Sequence, residues 1–146
     1  AILPARWPHS NPVDTVAAGF FVTDPCLWPL IEDDNFDAVL VISGVGMSAM
    51  MGRQVASSVP TATREQATEF LRMLEGNELD NLDRVFEYMD KYKKPVIMSN
   101  HITEAFRESR TFTKLKDNGV MMYPTPERAV KALAGLVQYS RYLKEA

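Results

Sequence analysis

The sequence has very few of the residue types that build metal centres and disulfide frameworks. Among its 146 residues there is one cysteine, Cys26, and there are two histidines, His9 and His101. A single cysteine excludes an internal disulfide and a thiolate metal cluster. Neither histidine has a metal-binding partner at helical spacing, so we expect no metal site.

Basic residues in excess and long apolar runs are also lacking. The chain has 16 lysines and arginines against 19 aspartates and glutamates, for a formal net charge of -3. A nucleic-acid or anionic-membrane surface requires a basic face, so we expect neither partner. No apolar stretch approaches the roughly 20 residues of a membrane span. We therefore expect a cytoplasmic protein.

Length and the first residues bear on domain organisation. A chain of 146 residues fits one domain that can bury a sizeable core. Residues 1–12 contain three prolines and are expected to form an extended lead-in or linker. Residues 13–146 are expected to form a single domain. The chain begins without Met and runs at once into prolines, so we expect a piece of a longer multidomain protein.

Short apolar runs alternate with helical patterns along the chain. Strands are predicted within residues 13–21, 39–43, 95–98 and 120–123. Helices are predicted to begin at Asp24, Met47, Thr63, Asp80, Thr103 and Thr125. The helices that begin at Thr63, Asp80 and Thr103 are predicted to end at Gly76, Lys94 and Gly119. The last of these is expected to bury Ala129, Ala132, Leu133, Leu136 and Val137. Because strands separated by helices require crossover connections, this order predicts a three-layer α/β sandwich with a mostly parallel sheet.

One junction indicates a phosphate site. An apolar run at residues 39–42 ends in glycines and opens a helix, whose first turn leaves backbone N–H groups free for an anion. Without side chains at Gly44 and Gly46, a phosphate group can approach the backbone closely. The predicted phosphate-binding residues are Ser43, Gly44, Val45, Gly46, Met47 and Ser48. The alternative, that the glycines only make the turn, stays open.

Other polar residues carry weaker signals. His101 follows a predicted strand and is a candidate proton acceptor or phosphoryl carrier, or else it bonds local backbone. Asn11 and Asp14 are loop-bound polar candidates, with turn capping as their alternative role. Position 49 is Ala, where a dinucleotide fingerprint needs its third glycine, and no Gly-Lys-Ser or Gly-Lys-Thr of a P-loop exists.

Three segments together resemble a known family. Asn11-Pro12-Val13-Asp14 resembles the Asn-Pro-x-Asp motif that opens one flavodoxin-like domain of NDP-forming acyl-CoA synthetases, which are relatives of succinyl-CoA synthetase. Residues 33–42, with their acidic turn and apolar run, are similar to the strand that follows in that domain. Residues 123–133, Tyr-Pro-Thr-Pro-Glu-Arg-Ala-Val-Lys-Ala-Leu, look like its closing motif. The resemblance covers about the whole chain.

The resemblance implies a function for the helix that begins near Met47. In this family an acyl-CoA and phosphate are exchanged for free acid, CoA and a nucleoside triphosphate through a phosphohistidine, which rests between two helix N-termini. This domain would supply one of those helices. The implied partners are a CoA-binding domain, a phosphohistidine domain and an ATP-grasp domain. CoA, ATP/ADP or GTP/GDP and Mg are implied for the full enzyme, and none is expected to be bound by this domain.

The chain also departs from the family pattern. The family's phosphohistidine lies in a Gly-His-Ala-Gly-type loop that this chain does not contain, so His101 does not inherit that role. The stretch 61–76 looks like an additional helix. We expect no catalytic residue in this chain and no ligase activity from the chain alone. The alternative is a non-catalytic docking or regulatory domain of a larger CoA-related protein.

Overall fold

The computed structural model describes residues 3, 5–15, 20–58, 60–101 and 104–145. Within those ranges, the helices and strands in chain order are α1 (Phe20–Glu32), β1 (Val39–Ile42), α2 (Met47–Ser58), α3 (Thr61–Tyr92), β2 (Val96–Ser99), α4 (Glu104–Arg107), α5 (Arg110–Asp117), β3 (Met122–Tyr123) and α6 (Pro126–Glu145).

The three strands form one small parallel sheet in the order β1-β2-β3. Val39 lies opposite Val96 and Ile42 opposite Ser99, while Met98 lies opposite Met122. Because all three strands run in one direction, their carboxyl ends meet at one edge, as helical crossovers require. The predicted α/β class with a parallel sheet is confirmed.

The core lies between the sheet and the helices that cross over it. Its most completely buried large side chains include Ile31 of α1, Met98 of β2, Phe106 of α4 and Leu115 of α5. Helix α3 contacts α1, α2 and α5, and the beginning of α6 packs against the strands. Helices α1, α3 and α5 each direct buried apolar side chains to the core, which is the usual way in which an amphipathic helix is stabilised in a protein.

The start of the chain differs from expectation at α1. The strand predicted within 13–21 falls mainly on residues 16–19, which lie outside the described ranges; residues 13–15 belong to no strand, and α1 already begins at Phe20. Helix α1 starts four residues before the predicted cap at Asp24 and contains Pro25 and Pro29. Each proline lacks an N–H for the helix ladder, and burial of Leu27 and Ile31 compensates.

The two helices predicted for residues 63–76 and 80–94 are one helix, α3, of 32 residues. Gly76 was expected to end the first and Asp80 to begin the second. Buried leucines lie on both sides of Gly76 and Asp80, at Leu74, Leu79 and Leu82. Because tertiary packing of an apolar face contributes more to helix stability than a single glycine costs, the helix continues.

Conversely, the single helix predicted between Thr103 and Gly119 is two helices. Thr103 lies outside the described ranges, and α4 ends at Arg107. Ser109 then caps α5: its Oγ accepts a hydrogen bond from the Phe112 N–H at 3.1 Å and donates one to the Phe106 carbonyl at 2.6 Å. This break directs Phe106 and Thr111 into the interior, where both are buried.

Helix α6 begins as predicted, but its buried part is shorter than predicted. Thr125 Oγ1 accepts from the Arg128 N–H at 3.4 Å, and Ala129 is fully buried. Leu136 and Val137, expected inside, are 63% and 41% exposed. The strands are only four residues long or shorter, so a 20-residue helix extends past them.

Candidate functional site

The turn between β1 and α2 has a backbone that ordinary residues rarely adopt. Ser43, Gly44 and Gly46 have positive φ angles of 66°, 87° and 81°. The Ser43 N–H donates to the Ser99 carbonyl at 2.7 Å, which ties the start of the turn to the end of β2. The Met50 N–H donates to the Gly46 carbonyl at 3.2 Å, so Gly46 is the N-cap residue of α2. The predicted strand–turn–helix junction is therefore present at residues 43–48.

Asn100 holds this turn against the sheet. Its side-chain amide donates to the Val45 carbonyl, and its Oδ1 accepts from the His101 N–H at 2.7 Å. Its own N–H donates to the Tyr123 carbonyl at 3.0 Å. Asn100 is buried, and these bonds connect the carboxyl ends of all three strands. Its position directly after a buried strand was the available sequence signal for this role.

An oxyanion already lies at the N-terminus of α2, and it belongs to the chain itself. Glu78 of α3 accepts from the Ser48 N–H through Oε1 at 3.1 Å and from Ser48 Oγ through Oε2 at 2.7 Å. Thr111 Oγ1 of α5 donates to the same Oε2 at 3.2 Å. Both hydroxyl residues are buried. Because Gly46 has no side chain to cap α2, the Glu78 carboxylate supplies the acceptor and its charge suits the positive end of the helix dipole.

Glu78 was not among the residues selected from the sequence. It sits between Leu74 and Leu82, four residues from each, on the stripe of α3 that faces the core. A charged residue in the middle of a buried apolar stripe requires a specific partner. That interruption was the signal for a polar site in this region, although nothing in it identifies Ser48 or Thr111 as the partners.

Gly46 is required by packing as well as by its backbone angle. A Cβ built at this position would lie 2.2 Å from Cε2 and 2.3 Å from Cδ2 of Phe106. Phe106 is buried beneath the turn. The structure thus gives a reason for this glycine, close approach of α4, that needs no ligand. Its predicted role in approaching a phosphate stays a prediction.

The other candidate residues are spread along the sheet. His101 is exposed just beyond β2, and its backbone N–H donates to the Asn100 side chain. Both predicted roles of its imidazole stay predictions. Asn11 lines a cleft beside β1 together with Leu40 and Ile42. Asp14 lines a smaller cleft with Leu27 and Leu30 on the same strand's flank.

The remaining chemistry of the described residues is modest. Burial raises the pKa of the Cys26 thiol, which makes a thiolate nucleophile there less available. In the ranges that the structure covers, no group of three or more His, Cys, Asp or Glu side chains is arranged to hold a metal ion. The helices in the same ranges include none that is long and apolar enough to cross a membrane.

No protein-family model, curated protein or solved structure matches this chain.

The hydrogen-bond donors at the junction determine which groups it can bind. A backbone N–H and two hydroxyl groups converge on one pair of oxygen atoms at the start of a twelve-residue helix. Such a set of donors stabilises a negatively charged oxygen, whether that of a carboxylate or of a phosphoryl group.

Proposed function

We propose that this chain is a three-layer, flavodoxin-like domain of an NDP-forming acyl-CoA synthetase, an acid–thiol ligase, and that it acts in the cytoplasm. Its role is to complete the phosphoryl-transfer site with the N-terminus of α2. One observation carries the proposal: the Ser48 N–H, Ser48 Oγ and Thr111 Oγ1 already bind an oxyanion at the carboxyl end of the sheet. Ligands of open α/β sheets bind at that end.

In this proposal the Glu78 carboxylate stands where phosphoryl oxygens bind in the assembled enzyme. Two like charges cannot share one helix terminus at low cost, so the arriving phosphoryl group displaces the Glu78 side chain, which is only half-buried. The N–H groups of residues 44–48 and the Ser48 hydroxyl then stabilise the charge that the transferred group spreads over its oxygens.

The other parts of the reaction come from partner domains. A CoA-binding domain, a phosphohistidine domain and an ATP-grasp domain would supply CoA, the phosphorylated histidine and the nucleotide with Mg. This chain would supply the second helix N-terminus, and none of its residues would form a covalent bond to the phosphoryl group. Incubated alone with acid, CoA and ATP or GTP, it should form no acyl-CoA above a control without protein.

The Ser48 donors provide the direct test. In the complete enzyme, Ser48→Ala removes the hydroxyl donor and should lower phosphoryl transfer by roughly a hundredfold, as loss of an oxyanion donor does elsewhere. Ser57→Ala is the matched control, because Ser57 lies near the other end of α2 and its hydroxyl bonds only exposed neighbours. Rates are normalised to the folded fraction of each variant. Equal transfer by the two variants contradicts the assignment.

A second candidate is a non-catalytic docking or regulatory domain. The observation that favours it is that Glu78 and Phe106 complete the turn and the helix terminus from inside the chain. In that case the network is structural and has no external ligand.

Glu78→Gln separates the two candidates. The variant removes the competing negative charge and keeps the side-chain shape. If α2 takes phosphoryl groups, inorganic phosphate should shift the Ser48 amide resonance at roughly tenfold lower concentration in the variant than in the original chain. If the network is only structural, Glu78→Gln loses stability and phosphate produces no saturable shift at Ser48 in either protein.

A further inference from the structure

Strand β1 has one edge that no described strand covers. The Val39 N–H donates to the Pro95 carbonyl at 3.0 Å and the Ser43 N–H donates to the Ser99 carbonyl at 2.7 Å. In a parallel ladder alternate residues bond to the same neighbour, so residues 39, 41 and 43 face β2. The N–H and C=O groups of Leu40 and Ile42 therefore point away from the sheet.

A cleft of about 690 Å³ runs along this edge. Leu40 and Ile42 of β1 line it together with Trp7, His9 and Pro12. The rings of Trp7 and His9 contact each other at a tilt of 36°, with centroids 4.4 Å apart. Ile42 is 58% exposed although it lies within a strand. The volume is within the roughly 300–1,000 Å³ typical of clefts that bind ligands.

The end of the cleft where β1 begins is acidic. Asp37 lies between Phe36 and Ala38, which both line the cleft, and Asp33 and Asp34 lie in the preceding turn. Lys94 donates to the Asp33 carbonyl at 2.8 Å and lies 3.8 Å from the Asp34 carboxylate. Residues 33–37 thus carry three aspartates and no basic residue, and Lys94 lies beside Asp33 and Asp34.

We propose that the outer edge of β1 binds an added β-strand from a partner polypeptide. The occupant is an extended segment with apolar side chains at alternate positions and lysine or arginine at its ends. Its backbone pairs with Leu40 and Ile42, its apolar side chains fill the cleft, and its cationic end meets Asp34 and Asp37. Four residues at about 3.3 Å each match the length of β1.

A second copy of the chain fits this edge less well. In a second copy the same edge of β1 lies beside that copy's own residues 7 and 9–12, which line the cleft. The acidic turn also requires a cationic partner, whereas the equivalent turn of a second copy is acidic. This inference does not rest on the proposed phosphoryl-transfer role, because it uses the outer edge of β1 and none of the residues 44–48.

Amide hydrogen exchange of the full chain tests the proposal. The probe is an acetylated and amidated peptide in which valine and threonine alternate over five residues between two lysines. In the free chain, the Leu40 and Ile42 amides should exchange at least roughly tenfold faster than those of Val41 and Ser43. The peptide should slow exchange at Leu40 and Ile42 in a saturable manner. Protection of these two amides in the free monomeric chain, or no saturable effect of the peptide, overturns the proposal.

Charge reversal and proline variants sharpen the test. A peptide with glutamates in place of the lysines should bind at least roughly tenfold more weakly, as should the lysine peptide to Asp34→Asn/Asp37→Asn. Asp117→Asn, on α5, is the control and should bind normally. Ile42→Pro removes an N–H that faces outward, so the chain should stay folded and lose the peptide. Val41→Pro should disrupt the sheet.

Two other results of these experiments would identify a different occupant or a different binding surface. If sedimentation shows a dimer in which Leu40 and Ile42 are protected, the occupant is a second copy and the proposal is wrong. If the lysine peptide shifts the resonances of α6 and leaves β1 unchanged, the peptide binds the exposed apolar side chains of α6, such as Leu136 and Leu143, and the proposal is also wrong.

Discussion

At the scale of single residues, Gly46 is where backbone conformation and packing meet. Its φ angle of 81° is one that residues with a side chain rarely adopt, and the Phe106 ring occupies the space where a Cβ would lie. The two requirements act together, because the turn angle brings α2 close to α4. Any added atom must either move the buried ring or open the turn.

Gly46→Ala should therefore destabilise the chain strongly. Strain at a left-handed position and overpacking in a core each cost about 1–3 kcal/mol, so the free energy of unfolding should fall by roughly 2–4 kcal/mol. Urea denaturation followed by circular dichroism measures the loss. An unchanged midpoint would mean that Phe106 does not pack on the turn.

The residues around Glu78 show what one sequence can and cannot predict about a site. The positions of Ser43, Gly44 and Gly46 in a turn follow from local chemistry, since glycines after a buried strand suit positive φ angles. The contact from Ser48 to Glu78 joins residues 30 apart, and that between Gly46 and Phe106 joins residues 60 apart. Such pairs depend on how helices pack, which no local pattern encodes.

At the scale of elements, α3 was the largest departure from expectation. Three of the four predicted strands correspond to β1, β2 and β3, because β-branched runs bounded by turn residues are a local signal. The end of a helix at Gly76 was predicted from an equally local signal, a glycine after an apolar stripe. It failed because Leu79 and Leu82 continue the buried surface beyond it. The position at which a helix ends thus depends on which other elements pack against it.

Gly76→Ala tests whether the glycine has any role within α3. No heavy atom lies within 4 Å of a Cβ built there, so the added methyl group meets no obstacle. Alanine loses less backbone entropy than glycine when a helix forms, and the variant should gain about 0.5–1 kcal/mol of stability. The same urea denaturation applies, with Gly46→Ala as its contrast. A loss of stability would show that α3 needs flexibility at this position.

At the scale of the whole molecule, the class of the fold was predictable, whereas the number of strands and the buried length of α6 were not. Alternation of strands and helices was sufficient for a parallel α/β arrangement, because the connections leave few other topologies. The number of strands and the exposure of Leu136 and Leu143 depend on what surrounds the sheet. The family, the phosphate site and the partner domains stay predictions that the experiments above address.

The response of the whole chain to acid follows from three exposed carboxylates. The Asn35 backbone N–H, together with its side chain, lowers the pKa of Asp33, and a hydrogen bond from Lys93 lowers the pKa of Asp90. The backbone N–H of Glu127 and the Thr125 hydroxyl lower the pKa of Glu127. Each group therefore stays ionised in the folded chain at pH values where the unfolded chain has begun to bind protons.

The sign of the pH dependence follows by linkage. A carboxylate with a lowered folded pKa contributes its stability fully above the unfolded value of about 4 and loses it as pH falls through the lower folded value. The thermal midpoint should thus be nearly constant from pH 7 to pH 5 and fall below about pH 4. Asp33→Asn/Asp90→Asn/Glu127→Gln should make that decline shallower, because these groups no longer release protons on folding. The two profiles, recorded by circular dichroism at equal ionic strength, should converge at the lowest pH. A triple variant whose decline is as steep as that of the original chain would assign acid sensitivity to other groups.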